Sequence, residues 1–375
     1  MKKKILFVSF WYPTAKQPHK GIFVREYAAA LAQNGHHVIV FVLDFQASPT
    51  IFKIKKEISK DISGFDVHRL TIFSFAWKLI YFINPFLNKL SFKYIKEKLL
   101  PYFIPDIIHA HVINPAGIIA YHLSKKIKKP YIITEHWSDV GIFFKSTRFP
   151  KMALNAYNYS SFITVVSEYL KNDIASYISD KDKLMVIPNI IGKSFNYRGF
   201  SENDCFVCTS VGKWEYPKNL QMIADALKKF SAISAKPIKY NIVGDGSLLK
   251  LLLDNKRNYS FEIISHGVLD KESIAVLFSR SDILLHCSEV ETFSVVIAEA
   301  HSCGLPVLAS NRGAMPELID VTNGMVCENT LDDWVSALKK ITNIVYDRNQ
   351  ISENAKKRYD TDNIIESLNN LYNQL

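Results

Sequence analysis

Ile283-Leu284-Leu285-His286-Cys287-Ser288-Glu289-Val290-Glu291-Thr292-Phe293-Ser294-Val295-Val296-Ile297-Ala298-Glu299-Ala300 reads as a short buried strand, a polar turn and a helix that stops at Cys303-Gly304. A continuous apolar run of this kind suits a parallel strand covered on both faces. The turn then sets backbone N–H groups and the positive end of a helix at the carboxyl edge of a sheet, where phosphates bind. Glu291 lies in the turn and Glu299 eight residues on, about two helical turns or ~12 Å along the axis. Carboxylates so spaced cannot share one proton or one metal. They can grip separate parts of an extended ligand, and carboxylates accept hydrogen bonds from sugar and ribose hydroxyls.

Working outward, the same alternation of strand and helix fills the chain. Before this stretch come strand patterns at Phe206–Val211, Ile238–Val243 and Phe261–Ser265, and after it Pro306–Ala309, with helical patterns such as Leu220–Phe230 and Lys271–Ser279 between. An equivalent series occupies the first half: Ile5–Ser9, a helix from Gly21 to Gly35, then His37–Val42, Ile107–Ala110, Tyr131–Thr134, Phe162–Val166 and Leu184–Ile187. Strand and helix in alternation mean α/β architecture with doubly wound parallel sheets. The polar segment from about Ile190 to Asp204 reads as a linker, so two α/β domains of comparable size stand in tandem. The expected boundaries are 1–188, 189–358 and a terminal helix in 359–375 that crosses back to the first domain.

The 375 residues, 48% hydrophobic and 22% charged, carry enough apolar material for two cores and argue against disorder. Five cysteines without a second CxxC or a His pair exclude a disulfide framework and a zinc ribbon; reduced thiols and a cytoplasmic location are expected. Met1-Lys2-Lys3-Lys4 before an apolar run could pass for a signal peptide, but the run ends at Tyr12-Pro13 without a cleavage site and reads better as a first strand. No apolar stretch reaches the length of a membrane span. The net charge of +10 is uneven: residues 1–187 hold 26 basic and 13 acidic side chains, whereas 188–375 hold 20 and 23. Residues 69–104 mix aromatics with Lys89, Lys93, Lys96 and Lys98, a composition that suits either an amphipathic element on an anionic membrane or a core helix with a solvated lysine face. No nucleic-acid-binding motif accompanies the charge, so nucleic acid is not expected as a partner.

Ser210-Val211-Gly212-Lys213-Trp214-Glu215-Tyr216-Pro217-Lys218 ends another buried strand with two lysines in the following loop. Two cations there complement a diphosphate leaving group as its charge develops. A dinucleotide-binding oxidoreductase is excluded, because Gly244-x-Gly246 has no third glycine at Leu249.

With these residues in place the chain resembles glycosyltransferase family 4, retaining enzymes of the group 1 type with the two-Rossmann-domain GT-B fold, over nearly its whole length. Glu291-x7-Glu299 matches that family's paired-glutamate motif, and Val211-Gly212-Lys213 with Lys218 matches its phosphate loop. Ile242-Val243-Gly244-Asp245-Gly246 is similar to its central turn, Ser265-His266-Gly267-Val268 to its base-holding loop, and Gly313-Ala314-Met315-Pro316-Glu317 to its later turn. The resemblance implies that Lys213, Lys218 and the Thr292-Phe293-Ser294-Val295 backbone hold the donor diphosphate, Glu299 the ribose and Glu291 the transferred sugar. Gly244 and Gly267 line the donor site. The family usually has Arg at the position of Lys213, and Gly-Phe-Gly where this chain has Thr292-Phe293-Ser294; both departures bear on donor identity.

In the first domain, Asp106-Ile107-Ile108-His109-Ala110-His111 ends a strand at the expected interdomain cleft, and the family carries a His at the position of His111, near the sugar and the acceptor. His109 is read as structural, facing the other way. Thr134-Glu135-His136-Trp137-Ser138-Asp139 follows the next strand, with Glu135 and His136 as acceptor-side groups. Pro18-His19-Lys20-Gly21-Ile22-Phe23-Val24-Arg25 stands where the family has a glycine-rich loop; Gly21 would touch the donor and Arg25 an anionic acceptor. The expected partners are a nucleotide-sugar donor, a saccharide or polyprenyl-pyrophosphate-linked acceptor, and an anionic surface on the inner face of the cell membrane. No cofactor or metal is expected. The alternatives are a basic nucleic-acid-binding protein, for which no motif accompanies the charge, and a non-catalytic scaffold of the same fold, disfavoured by the intact Glu and Lys set.

Overall fold

The computed structural model describes residues 2–15, 17–81, 84–138, 141, 150–200 and 202–375. The chain divides into two compact units, Met1–Ile190 together with Ile364–Leu375, and Ile191–Asn363.

The first unit is built on one sheet of eight strands: β1 (Lys4–Ser9), β2 (His37–Ala47), β3 (Lys53–Lys60), β4 (Asp66–Ser74), β5 (Ile107–His111), β6 (Tyr131–Glu135), β7 (Phe162–Val165) and β8 (Leu184–Val186), in the order β3-β4-β2-β1-β5-β6-β7-β8. Every pair is parallel except β3 with β4. Ile5, Leu6, Phe7 and Val8 of β1 have no exposed surface, as a central strand covered on both faces requires. From β1 the chain crosses one way to β2, while β5 joins β1 from the other side. The switch point of the sheet therefore lies between the carboxyl ends of β1 and β5, where open α/β sheets bind ligands.

Residues 69–104 do not form one element. Arg69–Ser74 belong to β4, a short helix covers Trp77–Tyr81, and a second helix runs Asn84–Lys98. That second helix buries Leu87, Ser91, Tyr94 and Ile95 and turns Lys89, Lys93, Lys96 and Lys98 to solvent, which is the arrangement of a core helix with a lysine face. Phe82 and Ile83 lie outside the described residues. β3, whose lysines stand exposed along the sheet edge, is the device by which proteins keep an edge from pairing further.

The second unit carries β9 (Phe206–Val211), β10 (Ile238–Val243), β11 (Glu262–Gly267), β12 (Ile283–His286), β13 (Val307–Ser310) and β14 (Gly324–Cys327), all parallel, in the order β11-β10-β9-β12-β13-β14. This is the doubly wound dinucleotide-fold order, with its switch point between β9 and β12. The helix Leu220–Ser231 covers it with Leu220, Ile223, Ala224, Leu227 and Phe230, and the Asn219 side chain caps its start by accepting from the Met222 N–H at 3.1 Å.

The helix Thr361–Asn373 returns to the first unit, where Ile364, Ile365, Leu368, Leu371 and Tyr372 join the cluster formed by Ile5, Phe7, Tyr27, Leu31 and Val38. The units thus meet near residue 190 and near 363, against the expected 188 and 358. Tyr359 ends a helix, Arg348–Tyr359, of the second unit. All five cysteines are free. Among the described residues no helix is long and apolar enough to cross a membrane.

Candidate active site

In the second unit, the loops after β9 and β12 are laced together. Asn219 N–H donates to the Cys287 carbonyl at 3.0 Å, Glu289 N–H to that of Pro217 at 3.0 Å, and Lys218 bridges to Ser288. This lacing brings Lys218 against Glu291: the ammonium contacts the carboxylate oxygen Oε1, with both side chains mostly buried. His286, the last residue of β12, lies under both. Its Nε2 is 2.9 Å from Glu291 Oε1, 3.2 Å from Lys218 Nζ and 3.2 Å from Ser294 Oγ. Burial and the neighbouring Lys218 charge hold this imidazole well below its ordinary pKa, so it is neutral and can donate to Glu291 from Nε2. Burial lowers the Lys218 ammonium as well, to about 7, with Cys287 only partly opposing.

The backbone around these groups is fixed from below. Ala314 N–H donates to the Glu291 carbonyl at 2.9 Å. Gly244 has φ 115° and lies so close to the Gly212 backbone that a Cβ would sit 1.8 Å from the Gly212 carbonyl oxygen; only glycine fits. Its N–H donates to the carbonyl of Gly267, the end of β11, at 2.7 Å. Ser294 opens the helix Val295–Ser302 with φ 63° and ψ 78°, a left-handed conformation in a residue with a Cβ. That strain coincides with the second glycine of the motif the chain lacks. Phe293 is buried, with its ring edge-on to Tyr359 at 5.6 Å. Thr292 and Val295 are half-buried.

Glu299, one further stretch along the same helix, is buried, and its carboxylate makes no hydrogen bond or ion pair among the described residues. Burial pushes its pKa up to about 7, with Lys271 only partly opposing. Lys213 is mostly exposed and paired with Glu215 at 2.8 Å. Lys218 and Glu291 therefore meet directly, Ser294 joins them through His286, Glu299 stands on the helix that Ser294 opens, and Lys213 points outward from the Lys218 loop.

In the first unit, His111 ends β5 and its Nδ1 lies 3.1 Å from Nε2 of His136, the residue after β6. Both rings are buried and held neutral by desolvation. His109 is on the same face as His111, since residues two apart in a strand share a face; the two rings stack at 4.5 Å. It is structural, spanning Tyr372 Oη at 2.7 Å and Thr134 Oγ1 at 2.6 Å. Val112, directly after His111, adopts φ 72°, a conformation costly for a β-branched residue, and its N–H donates to the Thr134 carbonyl at 2.8 Å.

Two acceptor-side expectations are corrected. The Glu135 carboxylate is fully buried and accepts from the N–H groups of Ile113 (2.8 Å), His136 (3.0 Å) and Trp137 (3.1 Å) and from the Tyr157 hydroxyl (2.9 Å). Its lone pairs are occupied, so it clamps the loops after β5 and β6 and cannot meet an acceptor. Arg25 pairs with Asp61 at 2.7 Å, so its charge is already matched within the unit. Asp139 lies outside the described residues. Gly21, at φ 65°, starts the helix Ile22–Gln33 where a Cβ would come within 2.4 Å of the Trp11 carbonyl.

His286 escaped the sequence reading, although a lone polar residue ending the apolar run Ile283–Leu285 is a legible signal. So did Asp61, whose partner is remote in sequence.

Two family models match the chain, Glycosyltransferase Family 4 over residues 21–193 and Glycosyl transferases group 1 over residues 197–358. Between them they take in both units, and the chain belongs to the group 1, family 4 glycosyltransferases with the GT-B fold. Similar proteins include the uncharacterized glycosyltransferase MJ1178 of Methanocaldococcus jannaschii, 27% identical over 278 residues, or 72% of this chain and 76% of that one. N-acetyl-alpha-D-glucosaminyl L-malate synthase of Bacillus anthracis is 24% identical over 236 residues, 60% of this chain and 61% of that enzyme. Among solved structures, Anabaena Alr3699/HepE in complex with UDP and glucose matches with a TM-score of 0.73 at 17% identity over 100% of both chains. Sucrose-phosphate synthase from Thermosynechococcus elongatus matches at 0.74 and 17% over 99% of each.

Proposed function

We propose that this glycosyltransferase is a retaining, metal-independent enzyme that moves a sugar from a nucleotide-sugar on its second unit to a saccharide or lipid-linked saccharide acceptor. The observation that carries the proposal is the cluster of Lys218, Glu291, His286 and Ser294 at the switch point of the second sheet, with the unpartnered Glu299 carboxylate on the adjoining helix. UDP and glucose in the Anabaena structure, and the N-acetylglucosaminyl name of the Bacillus anthracis relative, support a nucleotide-sugar donor.

The residues divide the donor between them. Glu299 accepts from ribose hydroxyls, and Glu291 from hydroxyls of the transferred sugar. When the glycosidic C–O bond breaks, its electron pair goes to the diphosphate. Lys213, Lys218 and the start of the helix Val295–Ser302 stabilise that charge. The acceptor hydroxyl attacks from the leaving-group face and passes its proton to the departing phosphate oxygen, so configuration is kept and no carboxylate nucleophile is required. The family resemblance assigns His111 to the sugar and the acceptor. Lys218 must exchange Glu291 for phosphate as the donor enters, and His286 remains to hold Glu291. The exposed Phe75, Leu79 and Phe86, taken with the solvent-facing lysines of helix Asn84–Lys98, support a place on the inner face of the cell membrane and a role in surface polysaccharide or glycolipid synthesis.

A thermal-shift panel of UDP-, GDP-, ADP- and dTDP-sugars tests the proposal. One nucleotide class is expected to stabilise the wild type and to lose most of that effect in Glu299→Ala. If none stabilises the wild type, the donor assignment fails.

A further inference from the structure

We infer that the first unit holds a lipid site, a cavity among three helices that takes the anionic head and single chain of an amphiphile. The inference stands apart from the transfer reading, since none of its residues belongs to the donor or acceptor groups above.

The cavity follows from two helix stripes of the same spacing. The helix Asn84–Lys98 turns Pro85, Asn88, Lys89 and Phe92 to one side. The helix Ile118–Ile127, packed against it, turns Ile119, His122, Leu123 and Lys126 to the same space. Both series run i, i+3, i+4, i+7, the spacing of a buried helix face. A fully apolar pair of such stripes would interdigitate, ridge into groove. Here each stripe carries two polar side chains in place of apolar ones, and a cavity of about 460 Å³ lies between them, with Met152 of the helix Pro150–Asn158 in its wall. That volume falls in the range of small-molecule sites.

The lining is divided by chemistry. Ile119 and Leu123 are buried, Phe92 and Met152 half-buried, and together they make an apolar floor. Lys89 and Lys126 are exposed at the rim. The Lys126 ammonium stands over the Phe92 ring, 5.2 Å from its centroid, so a positive charge and an apolar wall meet at one point. Lys89 lies one turn from Phe92 on the same helix face. Among the described residues neither lysine pairs with a carboxylate, and no acidic side chain lines the cavity. The Asn88 amide and His122 Nε2 are buried in the walls without a hydrogen-bond partner among the described residues. Drawing the helices together would crowd two unpaired ammoniums against walls that already hold unsatisfied polar groups, so the chain does not fill this gap for itself.

These features select the ligand. Two unpaired cations and no acid exclude a cationic ligand and favour an anion. A hydrated anion alone gains little from exposed lysines. The apolar floor supplies the rest, through burial of a hydrocarbon chain. A phosphate or carboxylate head on Lys89 and Lys126, with one alkyl or prenyl chain along Phe92 and Met152, meets both requirements. That is the chemistry of an anionic lipid.

The test is methyl NMR on the full chain labelled at methionine, with Met152 as the reporter in the cavity wall and Met152→Leu to assign its resonance. The probes are dodecyl phosphate, dodecyl maltoside and inorganic phosphate, the two amphiphiles below their micelle concentrations. Dodecyl phosphate is expected to move the Met152 resonance and to bind about tenfold or more tightly than dodecyl maltoside, whereas inorganic phosphate leaves the resonance in place. Lys89→Glu and Lys126→Glu should each weaken dodecyl phosphate about tenfold, while Lys93→Glu, on the same helix but outside the cavity, should not. Melting curves establish that each variant is folded. An unmoved Met152 resonance, equal binding of the maltoside, an equal shift with inorganic phosphate, or undiminished binding in both cavity variants overturns the inference. UDP binding is expected to be unchanged in Lys89→Glu and Lys126→Glu, and its loss there would overturn the separation of this site from the donor.

Discussion

Ser294 and Glu299 show how far the site departs from what stability alone would choose. A serine at φ 63° carries a penalty that glycine would not, and it keeps one polar contact, to His286. Ser294→Ala and Ser294→Gly both lose that contact, but only alanine keeps the strain. The glycine variant is expected to be the more stable of the two by about 1 kcal/mol in urea unfolding. An alanine variant at least as stable as the glycine variant would show that no strain is stored there. Glu299 makes its statement through pH. Burial keeps the folded carboxyl protonated up to about 7, whereas the unfolded chain releases the proton near its ordinary value of 4.5. Between those values the folded state binds more protons, so this group lowers stability as pH rises through the window. Glu299→Gln should therefore gain on the wild type between about pH 5 and pH 8, by on the order of 2 kcal/mol, in melting curves taken at both. A constant difference would contradict the raised pKa. A donor whose ribose hydroxyls bond the ionised form should in turn bind more tightly as pH rises through 7.

Elements differ in how plainly they could be read. β9, β10 and β12 run over the residues their apolar runs imply, because buried central strands need little but β-branched and aliphatic side chains. The β3–β4 hairpin was hidden. Lys53-Ile54-Lys55-Lys56-Glu57-Ile58-Ser59-Lys60 has the composition of solvent, and its strand character comes from pairing with β4, a tertiary effect. The same blindness explains Arg25, whose partner Asp61 lies just beyond β3. Lys218 was legible from the loop that follows β9, and Glu291 and Glu299 from their spacing along the single strand-turn-helix unit of β12. The role of His286 depends on the ends of β9 and β12 meeting, and its one local sign is the polar residue that closes the apolar run Ile283–Leu285. The terminal helix is an element with a measurable role. Leu368→Ala, at a position 1% exposed, is expected to cost the first unit about 3 kcal/mol. Hydrogen exchange should show lost protection in β1 and β2 with β9 and β12 unchanged; equal losses in both sheets would contradict the helix's assignment to the first unit.

For the whole molecule, the uneven charge is the property with an outside consequence. The excess of basic residues falls in the half that forms the first unit, yet Lys20, Arg25 and Arg69 are internally paired. The exposed lysines of the helix Asn84–Lys98 are available to an anionic surface, each contributing about 1 kcal/mol near such a leaflet. Replacing Lys89, Lys93, Lys96 and Lys98 by Glu is expected to abolish co-sedimentation with anionic vesicles while leaving nucleotide binding intact. Vesicle binding unchanged by the four substitutions would sink the membrane assignment.

The return of the terminal helix also sets an order of events at the ribosome. Domains generally fold as they emerge, amino-terminal first. Here Ile364, Ile365, Leu368, Leu371 and Tyr372 are made after the whole of the second unit, yet they complete the core around Tyr27 and Leu31. The first unit to be synthesised is therefore the last to close. Its apolar seam stays open to solvent, and to chaperones, until translation of the second unit is finished.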